Sequence, residues 1–175
     1  MKNYKKNLKL LTKNHVYSKE MEHDACGVGL IASTEGKKSS AIVEYGIEAL
    51  KAVWHRGAVD ADGKTGDGAG IHVEIPKDFF IEKIQVTGHD YDNSEICVGM
   101  IFLPRNDYSA QESCKTIVES ELTKNNFSIY GWRQVPVNPK VLGEKALQTM
   151  PEIIQVLFKS NDPNLLDKNL ERKIY

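Results

Sequence analysis

Apolar residues recur at helical spacing in three parts of the chain. The first pattern predicts a helix over residues 40–54. Its apolar face is formed by Val43, Gly46, Ile47, Leu50, Val53 and Trp54. Ser109 followed by Glu112 has the form of a capping box, which predicts a second helix to about Lys124 with Cys114, Ile117, Val118 and Leu122 inward. A third helical pattern starts at Leu165 and continues to Tyr175.

Shorter apolar runs between these patterns predict strands. They cover residues 25–32, 70–75, 96–103, 127–137 and 153–159. Gly27 and Gly29 interrupt the first run, which indicates a close approach of the backbone to another group. The Gly, Asp, Asn and Ser residues at positions 88–94 predict a surface loop between two strands. Because strands alternate with helical segments, the pattern by itself predicts a doubly wound parallel sheet.

Composition and charge narrow the class of protein. The 175 residues suit one domain with a real core. The chain has 23 basic and 24 acidic residues, so its charges nearly balance. It therefore has no overall positive electrostatic field that would attract nucleic acid or a membrane surface. The Lys- and Asn-rich start lacks the apolar stretch of a secretory signal, so we expect a cytoplasmic protein.

The cysteine count argues against a disulfide framework and against a metal or iron-sulfur site in this segment. There are three cysteines, an odd number, and none forms a C-x-x-C pair. Cys97 lies in an apolar run and Cys114 on a helical apolar stripe, so both are predicted to be core residues.

Cys26 carries the most distinctive chemistry. Cleavage just before it would leave a residue with both a thiol and a free α-amine. A model thiol has a pKa of about 8.5 and an α-amine one of about 7.7–8.0. Near neutral pH the amine can therefore take the thiol proton, directly or through one water. The alternative interpretation is a packed core cysteine.

The glycine-rich residues 57–70 raise three other possibilities, and their spacing argues against each. Gly57 and Gly63 enclose five residues, whereas a phosphate-binding P-loop needs four. The later glycines lack the G-x-G-x-x-G spacing of a dinucleotide turn. The aspartates do not fall on calcium-loop positions, and no glutamate closes that pattern. A turn-rich loop with a structural role stays open.

Four blocks resemble one family, the class II glutamine amidotransferases of the N-terminal nucleophile (Ntn) hydrolase type. They are HDACGVG at residues 23–29, HRG at 55–57, TGDGAGI at 65–71 and GWRQVPVN at 131–138. The resemblance runs from about Met21 to the last residue. It is most specific to the amidotransferase domain at the start of the glutamate synthase large subunit.

The resemblance implies an α+β fold that differs from the doubly wound sheet. The family has a four-layer αββα sandwich, with helices outside two stacked, mainly antiparallel sheets. We follow the resemblance and expect residues 26–175 to form the N-terminal part of such a domain. Residues 1–25 are then a propeptide removed to expose Cys26, with an ordinary disordered basic tail as the alternative.

The resemblance also implies the site. Cys26 is the catalytic nucleophile, which attacks glutamine to give a thioester, ammonia and finally glutamate. Arg56 and Gly57 occupy the HRG position beside it, where a guanidinium positions the pocket and a glycine admits close backbone. Asp67 is assigned to shaping the pocket wall. No metal ligand is expected.

Outside this segment, the family implies further parts. A flavin (FMN) and iron-sulfur domain transfers the ammonia to 2-oxoglutarate, which makes the whole enzyme a transferase and oxidoreductase of nitrogen assimilation and glutamate biosynthesis. The implied partners are glutamine, the rest of the large subunit and the small subunit. Nucleic acid and membrane are not among them.

The resemblance implies later segments that carry an Asn-Gly pair for the oxyanion hole, and an Arg and an Asp that hold the α-carboxylate and α-amine of the substrate. No Asn-Gly pair occurs in this chain. Loss of one oxyanion donor costs about 3 kcal/mol of transition-state stabilisation. We therefore expect this chain by itself, as a truncated fragment, to be a poor or inactive glutaminase. Two alternatives stay open: a non-catalytic truncated remnant, and another class II enzyme such as an amidophosphoribosyltransferase.

Overall fold

The computed structural model describes residues 27–53, 59–66, 68–162, 165 and 167–174. The chain divides into two compact units, Met1–Arg56 and Gly57–Tyr175. Each unit is described by itself.

The first unit contains one described helix, α1 (Ser40–Ala52), where the apolar spacing predicts it. Ser39 begins the helix because its side-chain oxygen accepts a hydrogen bond from the Ala41 amide at 3.2 Å. Lys51 lies in the last turn, where a cation is favourable beside the exposed carbonyls. The helix prediction for this part of the chain is confirmed.

The predicted first strand is not found in its described part, residues 27–32. Val28 is 94% exposed and Leu30 is 89% exposed. A strand exists only where a neighbour completes its hydrogen-bond ladder, and an apolar pattern cannot supply that neighbour. The prediction is therefore wrong for the described residues of this segment.

The second unit alternates helices and strands. In chain order its elements are α2 (Lys77–Val86), β1 (Cys97–Leu103), α3 (Tyr108–Lys124), β2 (Phe127–Gln134), a 3-10 turn (Pro139–Val141), α4 (Glu144–Thr149), β3 (Glu152–Ser160) and α5 (Asp167–Ile174). The strands form one antiparallel sheet in the order β1-β3-β2.

The sheet corrects the parallel arrangement predicted from alternation alone. β1 and β2 both pair antiparallel to β3, so they run in the same direction, as the intervening α3 requires. β3 then inserts between them, with Cys97 opposite Phe158 and Phe127 opposite Ser160. The alternation of strands and helices predicts that α3 connects two strands that run in the same direction. It does not predict that β3 later inserts between them. The antiparallel pairing agrees with the expectation from the resemblance.

Each face of the sheet has its own core. On one face, α2 contributes Phe80 and Ile84, which pack with Ile96, Tyr130 and Leu157. On the other face, the buried residues are Cys97, Phe127, Val156, Phe158 and Leu170, with Val118 and Leu122 of α3 against them. Neighbouring β3 residues therefore enter opposite cores, as the two-residue period of a strand dictates.

Gly131 lies at a bulge in β2 that holds the end of α2 close to the sheet. The register shifts between Ile129 and Gly131, and Gly131 has φ of +148°. An added Cβ there would lie 2.9 Å from Thr87 Cγ2. The Thr87 hydroxyl lies 2.6 Å from the Ile84 carbonyl oxygen and 2.8 Å from that of Tyr130. A larger residue than glycine would push α2 away from β2.

Several element predictions need correction. Residues 70–75 are not in a strand, although Ile75 packs against the α2 core. Helices α2 and α4 do not appear among the predicted elements, because neither has a long apolar stripe. Asp107, and not Ser109, caps α3 through the Ala110 amide. Ile117 is exposed, whereas Val118 and Leu122 face the core.

The predicted surface loop at residues 88–94 is joined to the sheet through Asp92. Its carboxylate accepts hydrogen bonds from Tyr130 Oη at 2.9 Å and from Lys159 Nζ. These bonds, that from Lys159 first, hold the pKa of Asp92 well below its usual range. Burial, followed by the bond to Asp92, raises the pKa of Tyr130. Both side chains therefore keep their usual charge states, an anion and a neutral phenol, at neutral pH.

Truncation of Leu157 should destabilise the protein strongly. Leu157 is 0% exposed and lies at the centre of the sheet. Leu157→Ala leaves a cavity and removes buried methyl groups, so the free energy of unfolding should fall by about 2–5 kcal/mol. Chemical denaturation measures the change. Val86→Ala, at a residue that is 78% exposed, is the control and should change it by less than about 0.5 kcal/mol. Equal losses in the two variants would contradict the two-core arrangement.

The Asp92 contacts should make stability depend on pH. The pKa of Asp92 is lowered on folding, so its carboxylate stabilises the folded protein at pH values above the unfolded pKa of about 3.9. This stabilisation is lost as the pH falls from the unfolded pKa towards the lower folded pKa. Its side chain is 47% exposed, so Asp92→Asn should cost only about 1 kcal/mol at pH 7.

The difference between Asp92→Asn and the unchanged protein should shrink as the pH falls from about 5 towards 2, measured by thermal unfolding. Glu121→Gln, which removes an exposed carboxylate paired with Lys124, is the control and should have little effect at any pH. A cost for Asp92→Asn that stays constant from pH 7 to pH 2 would show that its charge does not matter.

Candidate functional site

The site residues predicted from the sequence, Cys26, Arg56, Gly57 and Asp67, all lie outside the described residues. The structure therefore neither brings them together nor separates them. It does describe the segment between the HRG block and Asp67, residues 59–66, which we call the Asp62 turn.

The Asp62 turn is a short, closed hairpin. Val59 and Gly66 form an antiparallel bridge, and the Asp60 amide donates to the Thr65 carbonyl at 2.7 Å. The Gly63 amide donates to the Asp60 carbonyl at 2.9 Å, with Gly63 at φ +68°, a conformation that glycine adopts without strain. The two ends of the turn therefore lie side by side.

Asp62 organises the interior of this turn. Its carboxylate accepts hydrogen bonds from the Thr65 hydroxyl at 2.5 Å and from the amides of Lys64 and Thr65 at 2.9 and 2.7 Å. These bonds, that from the Thr65 hydroxyl first, hold the pKa of Asp62 well below its usual range. A carboxylate engaged in this way remains an anion near neutral pH and acts as a structural acceptor.

The first residues of α4 lie directly against the turn. Lys145 Nζ lies 2.8 and 2.7 Å from the two carboxylate oxygens of Asp60. At Gly143 an added Cβ would lie 2.5 Å from the Thr65 nitrogen. The sequence carries no signal for these residues, because a contact across 85 positions leaves no local pattern.

The described carboxylates of the turn do not form a metal site. Asp60 is paired with Lys145, and Asp62 accepts bonds from the turn itself. Among the residues that the structure describes, no group of three His, Cys, Asp or Glu side chains is arranged to hold a metal ion.

The two described cysteines differ from the proposed nucleophile. Cys97 is buried on β1, and burial raises its pKa to about 11, so the group is a thiol at neutral pH. This confirms its prediction as a core residue. Cys114 on α3 is half-buried and is not in a disulfide.

Trp132 and Arg133 of the GWRQVPVN block make packing contacts. Trp132 packs on the face of the sheet that α3 covers, and its Nε1 donates a hydrogen bond to the Glu119 carboxylate at 2.6 Å. Arg133 lies over the Phe79 ring at 5.1 Å and donates to Gln155 Oε1 at 2.5 Å. Both contacts join β2 to its neighbours, so this block supports the sheet through its described side chains.

One open apolar groove of about 390 Å³ lies between the 3-10 turn, α4 and the start of β3. Its lining is formed by Val137, Asn138, Pro139, Leu142, Ala146, Thr149, Met150, Pro151 and Ile153. None of these side chains is a nucleophilic thiol, an acid or a base, so the groove supplies no catalytic group.

Within the described ranges, no helix has the length and apolar character needed to cross a bilayer.

Comparison with known proteins gives consistent results. The family described as "Glutamine amidotransferases class-II" matches residues 26–175. The chain is 52% identical over 172 residues to the "Glutamate synthase [NADPH] large chain" of Azospirillum brasilense, covering 98% of this chain and 11% of that protein. It is 39% identical over 168 residues to the "Ferredoxin-dependent glutamate synthase" of Pyropia yezoensis, covering 95% and 11%.

A third relative is the "Ferredoxin-dependent glutamate synthase 1, chloroplastic/mitochondrial" of Arabidopsis thaliana, which is 39% identical over 155 residues, or 88% of this chain and 9% of that protein. The chain thus spans about a tenth of the length of these relatives. Since the family match covers 150 of 175 residues, from Cys26 onward, the chain belongs to the class II glutamine amidotransferases.

Proposed function

We propose that this chain is the nucleophile-bearing part of the glutaminase domain of a glutamate synthase. The observation that carries the proposal is the 52% identity along 98% of the chain to a glutamate synthase large chain. The HDACGVG block gives that similarity a chemical meaning, because it contains a cysteine suited to act as an N-terminal nucleophile.

In the proposed reaction, the α-amine of Cys26 takes the thiol proton and the thiolate attacks the side-chain carboxamide carbon of glutamine. The tetrahedral intermediate collapses to a γ-glutamyl thioester, and the protonated amine returns its proton to the departing ammonia. Water then attacks the thioester, which releases glutamate and restores the thiol. General-base help of this kind is worth roughly a hundred- to ten-thousandfold in rate.

Arg56, Gly57 and Asp67 have supporting roles in this proposal. A guanidinium at position 56 orients the pocket through charge-assisted hydrogen bonds, and Gly57 admits backbone close to the reacting sulfur. Asp67 and the glycines beside it shape the wall. Only nine residues of chain, among them the Asp62 turn, separate Gly57 from Asp67.

The proposal includes removal of residues 1–25 and a four-layer αββα sandwich. The family match begins at Cys26, which supports a mature start there. Coverage of 172 residues by the Azospirillum protein means that this relative has a counterpart of most of the preceding segment. Phe102, 63% exposed, and Met100, 48% exposed, lie on the α2 face of the sheet, so α2 leaves apolar surface on that face for the proposed second sheet to cover.

The synthase half of the reaction is also a proposal. The ammonia would be transferred to 2-oxoglutarate by a region with FMN and an iron-sulfur cluster, working with the rest of the large subunit and a small subunit in the cytoplasm. The three cysteines of this chain include no C-x-x-C pair, Cys97 is buried as a thiol, and Cys26 is assigned to the glutaminase reaction. The residues of this chain do not fit the cluster, and no step above uses it.

A second candidate is a segment without turnover. In that case Cys26 is an ordinary packed cysteine whose α-amine is never freed. The two candidates make opposite predictions about processing and labelling of Cys26.

Mass spectrometry of the protein purified from cells should show a mature chain that begins at Cys26. Only cleavage at that bond frees the amine that serves as the base. A diazoketone analogue of glutamine should then label Cys26. An intact Met1 together with full-speed glutamine hydrolysis would contradict the mechanism, whereas an intact Met1 with no labelling would favour the second candidate.

Replacement of the nucleophile should abolish most glutamine hydrolysis. Cys26→Ser in the full-length protein should lower ammonia release by roughly a hundredfold or more, since an alcohol is a much weaker nucleophile than a thiolate at neutral pH. Glutamine binding should persist. Cys114→Ser, at the half-buried cysteine of α3, is the matched control and should leave the rate within about twofold. Unchanged ammonia release from Cys26→Ser would refute the proposal.

A further inference from the structure

The sheet of the second unit has two edges, and β1 forms the one that is open to pairing. In the order β1-β3-β2, β3 is the strand that is paired on both sides among the described residues. β1 has the sequence CVGMIFL, with no charged residue and no proline. Its register with β3 runs from Cys97 to Leu103 without a bulge. A regular, uncharged edge of this kind offers unpaired amides and carbonyls to a further strand.

β2, at the other edge, has three features that hinder pairing. Its register is interrupted by the bulge between Ile129 and Gly131. The Tyr130 carbonyl oxygen at this bulge lies 2.8 Å from the Thr87 hydroxyl at the end of α2. Arg133 adds a charge to the strand. Bulges, covering elements and charges are the means by which sheets protect their edges, so β1 is the edge left for a partner.

Exposed apolar side chains lie beside this open edge. Met100 is 48% exposed and Phe102 is 63% exposed. Both share with Val98 the face on which α2 packs, because alternate residues of a strand point to the same side. The end of α2 is held against β2 by Thr87, so the part of this face at β1 stays uncovered. A strand added at the edge would bring its own side chains beside these residues.

We propose that two copies of this chain pair through β1, antiparallel and about a two-fold axis at Met100, so that their sheets join into one of six strands. A two-fold axis brings the same edge of both copies together. Residues at equal distances on either side of Met100 then lie opposite each other. Because β2 is protected, the assembly ends at two copies. The pairing uses the edge of the sheet and is compatible with a further layer over its face.

Side chains match in size in this register. On the face with the exposed apolar residues, Phe102 lies opposite the partner's Val98. On the other face, Gly99 lies opposite the partner's Ile101, so the smallest residue of the strand meets a large one. Met100 faces its own counterpart, and its unbranched side chain adapts to such a contact. Each large side chain at the edge thus gains an apolar neighbour.

Charge complementarity selects this register from the alternatives. Glu95 and Arg105 each lie five residues from Met100, on opposite sides. The pairing therefore brings Glu95 near the partner's Arg105 at both ends of the joined strands. Arg105 is exposed, and among the described residues its side chain contacts only Met150 Sδ, at 3.8 Å. Glu95 pairs with Lys77 through Oε2, and its Oε1 can accept a further bond.

Sedimentation velocity of the 175-residue chain should show a reversible dimer with a dissociation constant of about 10–100 µM, as expected for a small interface. Met100→Lys places two like charges at the axis and should raise that constant at least about tenfold. Val86→Lys, at a residue of α2 that is 78% exposed, is the control and should leave it within about twofold. Thermal unfolding checks that both variants are folded. A monomer at about 0.5 mM would overturn the proposal, as would a dimer that Met100→Lys leaves unchanged.

The charge pair distinguishes a second copy from any other partner. Arg105→Glu alone brings two carboxylates together at each end and should raise the dissociation constant about three- to tenfold. Glu95→Lys alone should do the same through two cations, and it also removes the exposed pair with Lys77. Both changes in one chain restore opposite charges and should return the constant to within about twofold of the original. Lys124→Glu, at an exposed lysine of α3, is the control and should have no such effect. A double variant that does not recover would contradict the pairing.

Met100→Cys reads the register directly. In a background with Cys26→Ser and Cys114→Ser, and with Cys97 buried, a short bismaleimide should join two copies. Peptide mass spectrometry should place both ends of the link at position 100, whereas Val86→Cys should give no such product. A link from position 100 to another segment or to a different protein would show that another strand occupies this edge, and the proposal would be wrong. If a variant at position 100 does not fold, the exposed charge pair decides the outcome.

Discussion

The insertion of β3 between β1 and β2 is the constraint on which the second unit depends. Both outer strands obtain their described ladder hydrogen bonds from this one strand, and its successive residues Val156 and Leu157 enter opposite cores. A shift of β3 by one residue would exchange those side chains between faces and disrupt both cores at once. The connection before β3 contains α4, so the register of the sheet also fixes where the contacts to the Asp62 turn lie.

Sequence patterns were sufficient where one face of an element is apolar over several turns or residues. α1, α3 and the three strands of the sheet are of this kind, and all lie close to their predicted ranges. The patterns were insufficient where a partner distant in sequence decides the structure. Residues 27–32 and 70–75 have strand-like composition without a strand, and α2 has helical structure with Phe80 and Ile84 as its main apolar anchors.

The candidate site shows the same contrast between local sequence patterns and contacts of distant segments. Cys26 and the blocks at residues 55–57 and 65–71 were assigned as candidates from motifs that resemble a known family, and this assignment stays a prediction. The contacts of Gly143 and Lys145 with the Asp62 turn could not be predicted in this way, because they consist of a close fit and an ion pair that only the folded unit creates. Motif residues can thus be read from the sequence, whereas contacts between distant segments depend on packing.

The separation of Asp60 from Lys145 by 85 positions has a consequence for the order of folding. Closing so long a loop is entropically unfavourable until the intervening sheet has brought its ends together. During synthesis the turn therefore lacks this support until most of the second unit has emerged from the ribosome. The internal hydrogen bonds of the turn are local and can form early, whereas its ion pair with Lys145 forms only after the intervening chain has folded.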